Sequence, residues 1–425
     1  MSKKASDPFA EYANKDDYWL SYRDRFRLPV GLKAPVQTYL CGHSLGLMPK
    51  SARLEVETLL NNWMNLGVRG HFHGPAPWIE YANELERSLA TIVGARSEEI
   101  AIMNSLTVNI HLLLATFYRP KGKRTKIVME SPCFPSDRYA VTSHLRHRGI
   151  NPDSNLLLWH PDAKGIFDLN QLESILMKYA DSISLLFLGG LNYYNGQMLD
   201  LNDIANLAER FGIAVGIDLA HAAGNVQLDL HQWGIDFGVL CTYKYLNGGA
   251  GSIGAAFIHE KHHQPKQIRL EGWWGNHRSN RFDMLPDFTP APGAQAWKLS
   301  NPPVVALAPL KASLSIFAEV GIDRISQRSS YLTAYLEERL LRLAPGFFDI
   351  LTPAREVDRG AMLSLHFKLD SADIYEFLSG QDVVADWRRP DVIRMAPCPL
   401  YNSIDDIDHV VSVLSEAKEL FSKEE

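Results

Sequence analysis

The sequence predicts an α/β protein with a large domain, in which helices cover both faces of a mostly parallel sheet, and a smaller α+β domain. Strand-like apolar runs alternate with helical patterns from about residue 80 to residue 303, as in parallel sheets. At 425 residues, the chain exceeds what one core usually accommodates. We therefore expect an N-terminal segment (1–75) that contributes to the small domain, a large domain (76–310) and a C-terminal small domain (311–425).

The elements of the large domain follow from apolar periodicity. Strands are predicted at KIVME (126–130), LLLWH (156–160), ISLLFLGG (183–190) and IAVGID (213–218). Apolar residues at helical spacing predict helices over 51–66, 168–180 and 201–211. Ser51 is of a type that caps helices and is expected to cap the first of them.

The C-terminal part has a different pattern. Residues 304–343 predict one long helical stretch. The strand-like runs FDILTP, MLSLHFKL, VVADWR and VIRMAP follow, with helical patterns at 372–378 and 404–421. This alternation of short strands and helices predicts the smaller α+β domain.

Composition and charge exclude several classes of function. A net charge of −6 indicates neither a nucleic-acid nor a membrane partner. The N-terminus lacks the apolar core of a signal peptide, and no apolar run reaches 18 residues. The four cysteines lie far apart without a CxxC pair, which favours reduced thiols in a cytoplasmic protein.

Asp218 and Lys244 carry the strongest functional signal. Asp218 ends an apolar strand-like run, and ligands bind at the carboxyl ends of strands in open α/β sheets. Lys244 lies between two tyrosines, ahead of a glycine-rich turn. A lysine that forms a Schiff base and a carboxylate that pairs with a pyridinium nitrogen are what pyridoxal phosphate (PLP) requires.

Each of these residues also has a simpler interpretation. A residue that only caps the following turn would explain Asp218, and a surface lysine whose stem is covered would explain Lys244. His221 lies near enough in sequence to bind the phenolic oxygen of the same ligand, but a satisfied, partly buried histidine would look the same. For Lys244, the aromatic neighbours and the glycines favour the functional interpretation.

Three other patterns are of kinds that occur in ligand sites. The glycines of 249–254 match a dinucleotide fingerprint, but a strand-like run follows them instead of a helix, so we reject that site. The polar entry 104–107 to an apolar helix suits a phosphate, although an ordinary N-cap predicts the same residues. His71, His73, His259, His262 and His263 lack ligand-spaced partners and are expected to be solvated turn residues, so no metal is predicted.

Eight ordered motifs resemble the kynureninase family, PLP enzymes of fold type I in the class V aminotransferase group. The motifs are YLCGHSLGLMP (39–49), MNSLTVNIHLLL (103–114), FPSDRYA (134–140), DLAHAAGN (218–225), YKYLNGGAG (243–251), EGWWG (271–275), SNPP (300–303) and IRMAPCPLYNS (393–403). Their spread over nearly the whole chain makes the resemblance more specific than any one of them.

The resemblance implies roles for the matching positions. Lys244 would be the Schiff-base lysine, Asp218 the partner of the pyridine nitrogen and His221 the contact to the phenolic oxygen. The remaining implied cofactor contacts are Leu106, Thr107 and Tyr243 at the phosphate, Phe134 stacked on the ring, Asp137 nearby, and Trp273 and Asn301 from the partner subunit. Tyr243 may also be a general acid. The implied substrate contacts are Arg394 at the α-carboxylate, and Ser44, His71, Ser300 and Asn301 at the aromatic end.

The resemblance also implies an activity: hydrolytic Cβ–Cγ cleavage of L-kynurenine or 3-hydroxy-L-kynurenine to anthranilate or 3-hydroxyanthranilate plus L-alanine, in tryptophan catabolism or NAD biosynthesis. It implies a homodimer, a large-domain sheet of the seven-stranded type, and an N-terminal segment (1–75) that contributes to the small domain and to the dimer interface. His71 and Asn301 resemble residues of members that favour the 3-hydroxylated substrate. Gly189 departs from relatives with a hydroxyl residue there, so one phosphate contact may be absent. Another class V enzyme, such as a cysteine desulfurase or aminotransferase, and a cofactor-free binding protein stay as alternatives.

Overall fold

The N-terminal segment bridges the two parts of the molecule. The computed structural model describes residues 16–421. Its first elements are α1 (Asp16–Arg23), β1 (Phe26–Arg27), β2 (Thr38–Tyr39), β3 (Met48–Pro49), α2 (Ala52–Leu66) and α3 (Tyr81–Val93). β1 pairs with β3, whereas β2 pairs in parallel with Val383–Val384 near the C-terminus. Ser51 has helical backbone angles and caps nothing, so its predicted capping role is wrong.

A seven-stranded sheet forms the centre of the large domain. Its strands are β4 (Ile100–Ile102), β5 (Lys126–Glu130), β6 (Leu156–Trp159), β7 (Ile183–Gly189), β8 (Ala214–Asp218), β9 (Phe237–Cys241) and β10 (Gly254–Ile258), in the order β4-β10-β9-β8-β7-β5-β6. Only β10 runs antiparallel to its neighbours. The predicted mostly parallel sheet is confirmed, and β10 confirms the strand that argued against a dinucleotide site.

Helices cover both faces of this sheet. They are α4 (Leu106–Phe117), α5 (Pro135–His147), α6 (Pro152–Asn155), α7 (Leu169–Tyr179) and α8 (Leu201–Arg210). Successive side chains of a strand point to opposite faces. In β7, Leu186 therefore packs in the core layer of α7 and α8, and Phe187 packs in the layer of α4 and α5.

The predicted helical stretch 304–343 is two helices. α9 (Val304–Val320) and α10 (Ile322–Leu343) meet at an 85° bend. Gly321 lies between them with φ +84°, a left-handed conformation that glycine adopts readily and that ends a right-handed helix. Within the described residues, no single helix is long and apolar enough to cross a membrane, and α9 and α10 meet that test only as a bent pair.

The C-terminal lobe is an antiparallel sheet covered by helices. It contains β11 (Phe348–Ile350), β12 (Leu363–Phe367), α11 (Ser371–Gly380), β13 (Val383–Val384), β14 (Asp386–Arg388), β15 (Val392–Met395) and α12 (Ile404–Phe421), with the sheet order β11-β12-β15-β14. Leu40 of the N-terminal segment packs in the core of this lobe. The predicted boundary at residue 310 lies inside α9, and the three-part division stays a prediction.

Candidate functional site

A cavity opens at the carboxyl ends of the central strands, where α/β sheets usually bind ligands. It brings together residues that are more than 130 positions apart in the chain. Those named in the sequence analysis are Leu106, Phe134, Asp137, Gly189, Asp218, His221, Tyr243 and Lys244. The central prediction, that Asp218 and Lys244 meet, therefore holds in the structure.

Lys244 lies in the loop after β9 and is buried, with 9% of its surface exposed. Its Nζ is 3.0 Å from Nε2 of His221 and 5.7 Å from the centre of the Phe134 ring. The surface-lysine interpretation is therefore wrong. Burial and the Lys244 charge hold the pKa of His221 well below its usual range, so its imidazole is neutral.

Asp218 ends β8 and does two things at once. Its Oδ1 accepts a hydrogen bond from the Ala220 N–H at 2.8 Å, so it does cap the turn. It also faces Asp137 in the cavity, and burial raises the pKa of both carboxyls. The Asp218 charge raises the pKa of Asp137 further, whereas the Lys244 charge lowers the pKa of both carboxyls, so Asp137 is the member of the pair that takes up a proton more readily.

The entry to α5 places the next two residues. Phe134 is extended, and Pro135 starts the helix, a position where proline needs no N–H partner. Asp137 therefore comes in the first turn, buried beneath the cavity, and within the described chain its Oδ1 has no hydrogen-bond partner. The Phe134 ring meets Tyr193 edge-on at 5.4 Å.

The N-terminus of α4 forms another edge of the cavity. Ser105 occupies the N-cap position, but no side chain among residues 16–421 caps the helix, so the capping interpretation of this segment is wrong. Thr107 Oγ1 lies 2.8 Å from Ser136 Oγ, which links the starts of α4 and α5. Free N–H groups and hydroxyls at a helix start are what a phosphate requires.

Glu130 is a cavity residue that the sequence reasoning missed. It ends β5, is buried, and accepts the Gly189 N–H with both carboxylate oxygens at 3.1 Å. A Cβ on Gly189 would lie 2.9 Å from Glu130 Oε1, so a larger residue here would require the Glu130 carboxylate to shift. The signal was present, because Glu130 ends an apolar strand as Asp218 does.

We expect Glu130→Gln to change how stability depends on pH. Burial raises the pKa of Glu130 to about 7, above that of the unfolded chain, so its contribution is present below about pH 4.5 and lost as pH rises to 7. Glutamine cannot ionise. Urea unfolding should therefore show the variant gaining about 2–3 kcal/mol relative to wild type between pH 5 and pH 8. The exposed Glu416→Gln is the control; a constant difference for Glu130→Gln would contradict the expectation.

Arg394 lies fully buried on β15, and its guanidinium already holds a carboxylate. Its Nε and Nη2 donate to Asp386 Oδ1 at 3.0 and 2.8 Å, and Nη1 donates to the Tyr193 carbonyl. Nε of Arg388 lies 2.8 Å from the same Asp386 oxygen. Asp386 and Arg388 were not predicted. Ser44 is half-buried in the loop after β2, where its N–H donates to the Cys41 carbonyl.

Trp273 and Asn301, the residues expected from a partner subunit, lie outside the cavity of their own chain, as do the expected substrate contacts His71 and Ser300. Trp273 is 46% exposed and donates to the Arg281 carbonyl. His71 and Asn301 line a separate apolar pocket of about 220 Å³ together with Trp63 and Trp78. Ser300, beside Asn301, is exposed.

The prediction of solvated histidines is wrong for most of the group. His259 is buried and stacks on His231 at 5.0 Å, and His262 contacts Asp236 at 2.7 Å. Glu99 lies close enough to His231 and His259 for a shared metal. However, its Oε1 already contacts His231 Nδ1 and the Glu260 N–H, and His259 Nδ1 accepts the Lys261 N–H. These contacts satisfy the cluster as a structural network.

Comparison with known proteins gives a consistent result. Residues 325–414 match the family model of the kynureninase C-terminal domain. The chain is 44% identical over 379 residues to the kynureninase of Xanthomonas campestris pv. campestris (strain B100), covering 88% of this chain and 89% of that protein. It is 40% identical over 413 residues to that of Flavobacterium psychrophilum, covering 96% and 97%.

Solved structures share the fold at low identity. The Escherichia coli cysteine desulfurase CsdA superposes with a TM-score of 0.76 at 19% identity, covering 95% of this chain and 99% of that one. A variant of C-DES with glycine covalently linked to its PLP cofactor superposes with a TM-score of 0.75 at 19% identity, covering 89% and 96%. At this identity the likeness concerns the fold alone.

Proposed function

The chain belongs to the kynureninase family, and from that premise we propose how its own residues carry out the reaction. The protein is a PLP-dependent hydrolase of fold type I that cleaves the Cβ–Cγ bond of kynurenine, releasing an anthranilate and L-alanine. The observation that carries the proposal is the buried contact between Lys244 and His221 beside Asp218, at the carboxyl edge of the sheet.

The residues of the cavity fit PLP. Two buried polar atoms without a partner among the described residues, His221 Nδ1 and Asp137 Oδ1, belong to residues that line the cavity, and the start of α4 is uncapped. When bound, PLP supplies an imine carbon and an electron sink for negative charge at the substrate Cα. The site would hold it through Lys244, with Asp218 at the ring nitrogen and Leu106, Thr107 and Tyr243 at the phosphate.

Lys244 is the residue we propose as catalytic base. Its uncharged Nζ would take the proton from the substrate Cα. His221 holds this nitrogen at 3.0 Å, and its neutral imidazole orients the amine without adding charge. Tyr243, which directly precedes Lys244 in the sequence, is our candidate general acid. Burial raises the pKa of its hydroxyl, so it keeps its proton at neutral pH.

The carboxyl groups of Asp218 and Asp137 would determine the charge around the ring nitrogen of the cofactor. Ionised Asp218 would keep the ring nitrogen protonated, and Asp137 supplies a neutral partner that carries the shared proton. Phe134 would stack on the ring from the start of α5.

Arg394 is proposed to bind the substrate α-carboxylate. Within the described part of the chain, its hydrogen bonds to Asp386 and Tyr193 use three of its five N–H groups, which leaves two for a ligand. Asp386 and Arg388 keep the guanidinium in place. Ser44 is proposed at the aromatic end of the substrate.

A homodimer is proposed because part of the predicted site faces away from its own cavity. Trp273, Asn301, His71 and Ser300 lie on a surface that also exposes large apolar side chains. Those with more than 40% of their area exposed include Trp63, Val68, Phe72, Phe282 and Val305. Such a surface is typical of an interface between chains. We propose that these residues complete the site of the partner.

Hybrid dimers test this arrangement. Lys244→Ala subunits and Trp273→Ala/Asn301→Ala subunits should each be nearly inactive as homodimers. If the sites are shared, each hybrid contains one intact site, and co-expression in equal amounts should restore about a quarter of the wild-type activity. Activity of the co-expressed mixture is the measurement, and tag-purified hybrids should show about half of the wild-type activity per dimer. Inactive hybrids would show that each site lies within one chain.

The function itself is tested with the purified protein loaded with PLP. Anthranilate or 3-hydroxyanthranilate fluorescence should appear with L-kynurenine or its 3-hydroxy form, and His71 and Asn301 are proposed to favour the latter. The alternative, cysteine desulfuration, needs a reactive cysteine. Cys398 is buried, and its pKa is raised to about 12 by burial, which argues against it. Sulfide release from cysteine without kynurenine cleavage would overturn the proposal.

Cytoplasmic localisation also stays a proposal. It rests on four free cysteines, three of them buried. Reduced, buried thiols are typical of cytoplasmic proteins.

A further inference from the structure

His43 is a fully buried histidine whose polar atoms are unsatisfied. It lies in the loop after β2, and among residues 16–421 neither Nδ1 nor Nε2 has a hydrogen-bond partner. Leaving one buried polar group without a partner costs about 1–3 kcal/mol. A fold that keeps two such atoms in one side chain beside a catalytic cavity calls for a ligand that satisfies them.

Close packing of the loop holds His43 in place. The Gly46 N–H donates to the Tyr243 carbonyl at 2.8 Å, which ties the loop to the segment that bears Lys244. A Cβ on Gly42 would lie 2.2 Å from Cys398 Sγ, so the other side of the loop rests on the segment after β15. His43 is thus fixed between the two parts of the molecule that carry Lys244 and Arg394.

His43 lies between the groups proposed to bind the amino end and the carboxylate end of an amino-acid substrate. Its ring centre is 6.4 Å from that of His221, which contacts the Lys244 amine. A His43 ring nitrogen lies within 4.8 Å of a carboxylate oxygen of Asp386, the residue that accepts hydrogen bonds from the Arg394 guanidinium. A ligand carboxylate on the same guanidinium would therefore come near the His43 ring.

The electrostatics favour an anion as the ligand. Burial and the charges of Arg394, Lys244 and Arg388 hold the pKa of His43 well below its usual range, so the ring is neutral, with one donor and one acceptor nitrogen. A metal ion held by Cys41, His43 and Asp386 suits these groups less well. Burial raises the pKa of the Cys41 thiol to about 12, and Asp386 is already bound by two arginines.

We propose that His43 is a second recognition residue for the substrate α-carboxylate, donating an N–H to it while Arg394 binds the same group. The inference rests on the proposed function and adds a residue to it. His43 would then make the site discriminate between α-amino acids and amines that lack the carboxylate.

The test compares two ligands on two variants of the PLP-loaded enzyme. His43→Leu removes both polar nitrogens, whereas His43→Asn keeps a donor and an acceptor. For L-kynurenine, His43→Leu should raise KM about tenfold or more and change kcat far less. For kynuramine, which is kynurenine without its carboxylate, the inhibition constant should change less than about twofold. His43→Asn should recover much of the wild-type KM.

Several results would overturn the proposal. An unchanged KM, or equal losses for kynurenine and kynuramine, would exclude carboxylate recognition. Activity lost on EDTA treatment and restored by zinc would favour the metal. Thermal unfolding and the visible spectrum of the bound cofactor report whether His43→Leu folds. If it does not, His43→Phe, which keeps a ring but has no donor, takes its place and should show the same rise in KM for kynurenine, with exposed His147→Phe as the control. A wild-type protein inactive on kynurenine would refute the proposed function instead.

Discussion

Lys244→Ala is expected to reduce kynurenine turnover by about 10³-fold or more, because it removes both the covalent attachment of the cofactor and the base at the substrate Cα. His221, the one polar group recorded at hydrogen-bond distance from this amine among the described residues, is neutral and lacks the reach of a lysine. The measurement is kcat from anthranilate fluorescence with saturating PLP.

A second readout separates loss of chemistry from loss of fold. Borohydride should reduce a lysine–PLP imine in wild type and leave the label on the peptide that contains Lys244, whereas Lys244→Ala should stay unlabelled. Exposed Lys164→Ala serves as the control and should behave as wild type. Full turnover by Lys244→Ala would show that another residue is the base.

Asp218→Asn is expected to lower kcat by about 10²–10³-fold, since a neutral amide cannot stabilise a protonated ring nitrogen in a buried site. The side chain would keep its shape, and its oxygen could still accept the Ala220 N–H. The fold should therefore survive, and the free energy of unfolding should change little. Steady-state kinetics and urea unfolding measure the two quantities.

Asp137→Asn is the matched control for this prediction. If Asp137 carries the shared proton, asparagine resembles its native state, and kcat should fall less than about tenfold. Equal losses for the two variants would contradict this division of charge, and a larger loss for Asp137→Asn would place the proton on Asp218.

The elements and the two central residues of the site were predictable because their signals are local. Parallel strands are buried on both faces, so β5, β7 and β8 appear as continuous apolar runs, and the polar residue that ends such a run lies at the ligand-binding edge. Asp218 was found in this way, and Glu130 obeys the same rule. Gly321 also carries a local signal, because a glycine between two helical patterns predicts a helix end, which the prediction of one stretch over 304–343 did not include.

By itself, the sequence determined the α/β class, the order of the large-domain elements, the family and the placement of Asp218 and Lys244 in one site. Only the tertiary structure decided that Glu130 fills the space beside Gly189 and that Asp386 accepts hydrogen bonds from Arg394. It alone also decided that His43 is buried without a hydrogen-bond partner among residues 16–421. The physical reason is range. Periodicity records which face of its own element a residue buries, whereas these contacts depend on how separate segments pack, and no spacing within one segment encodes that.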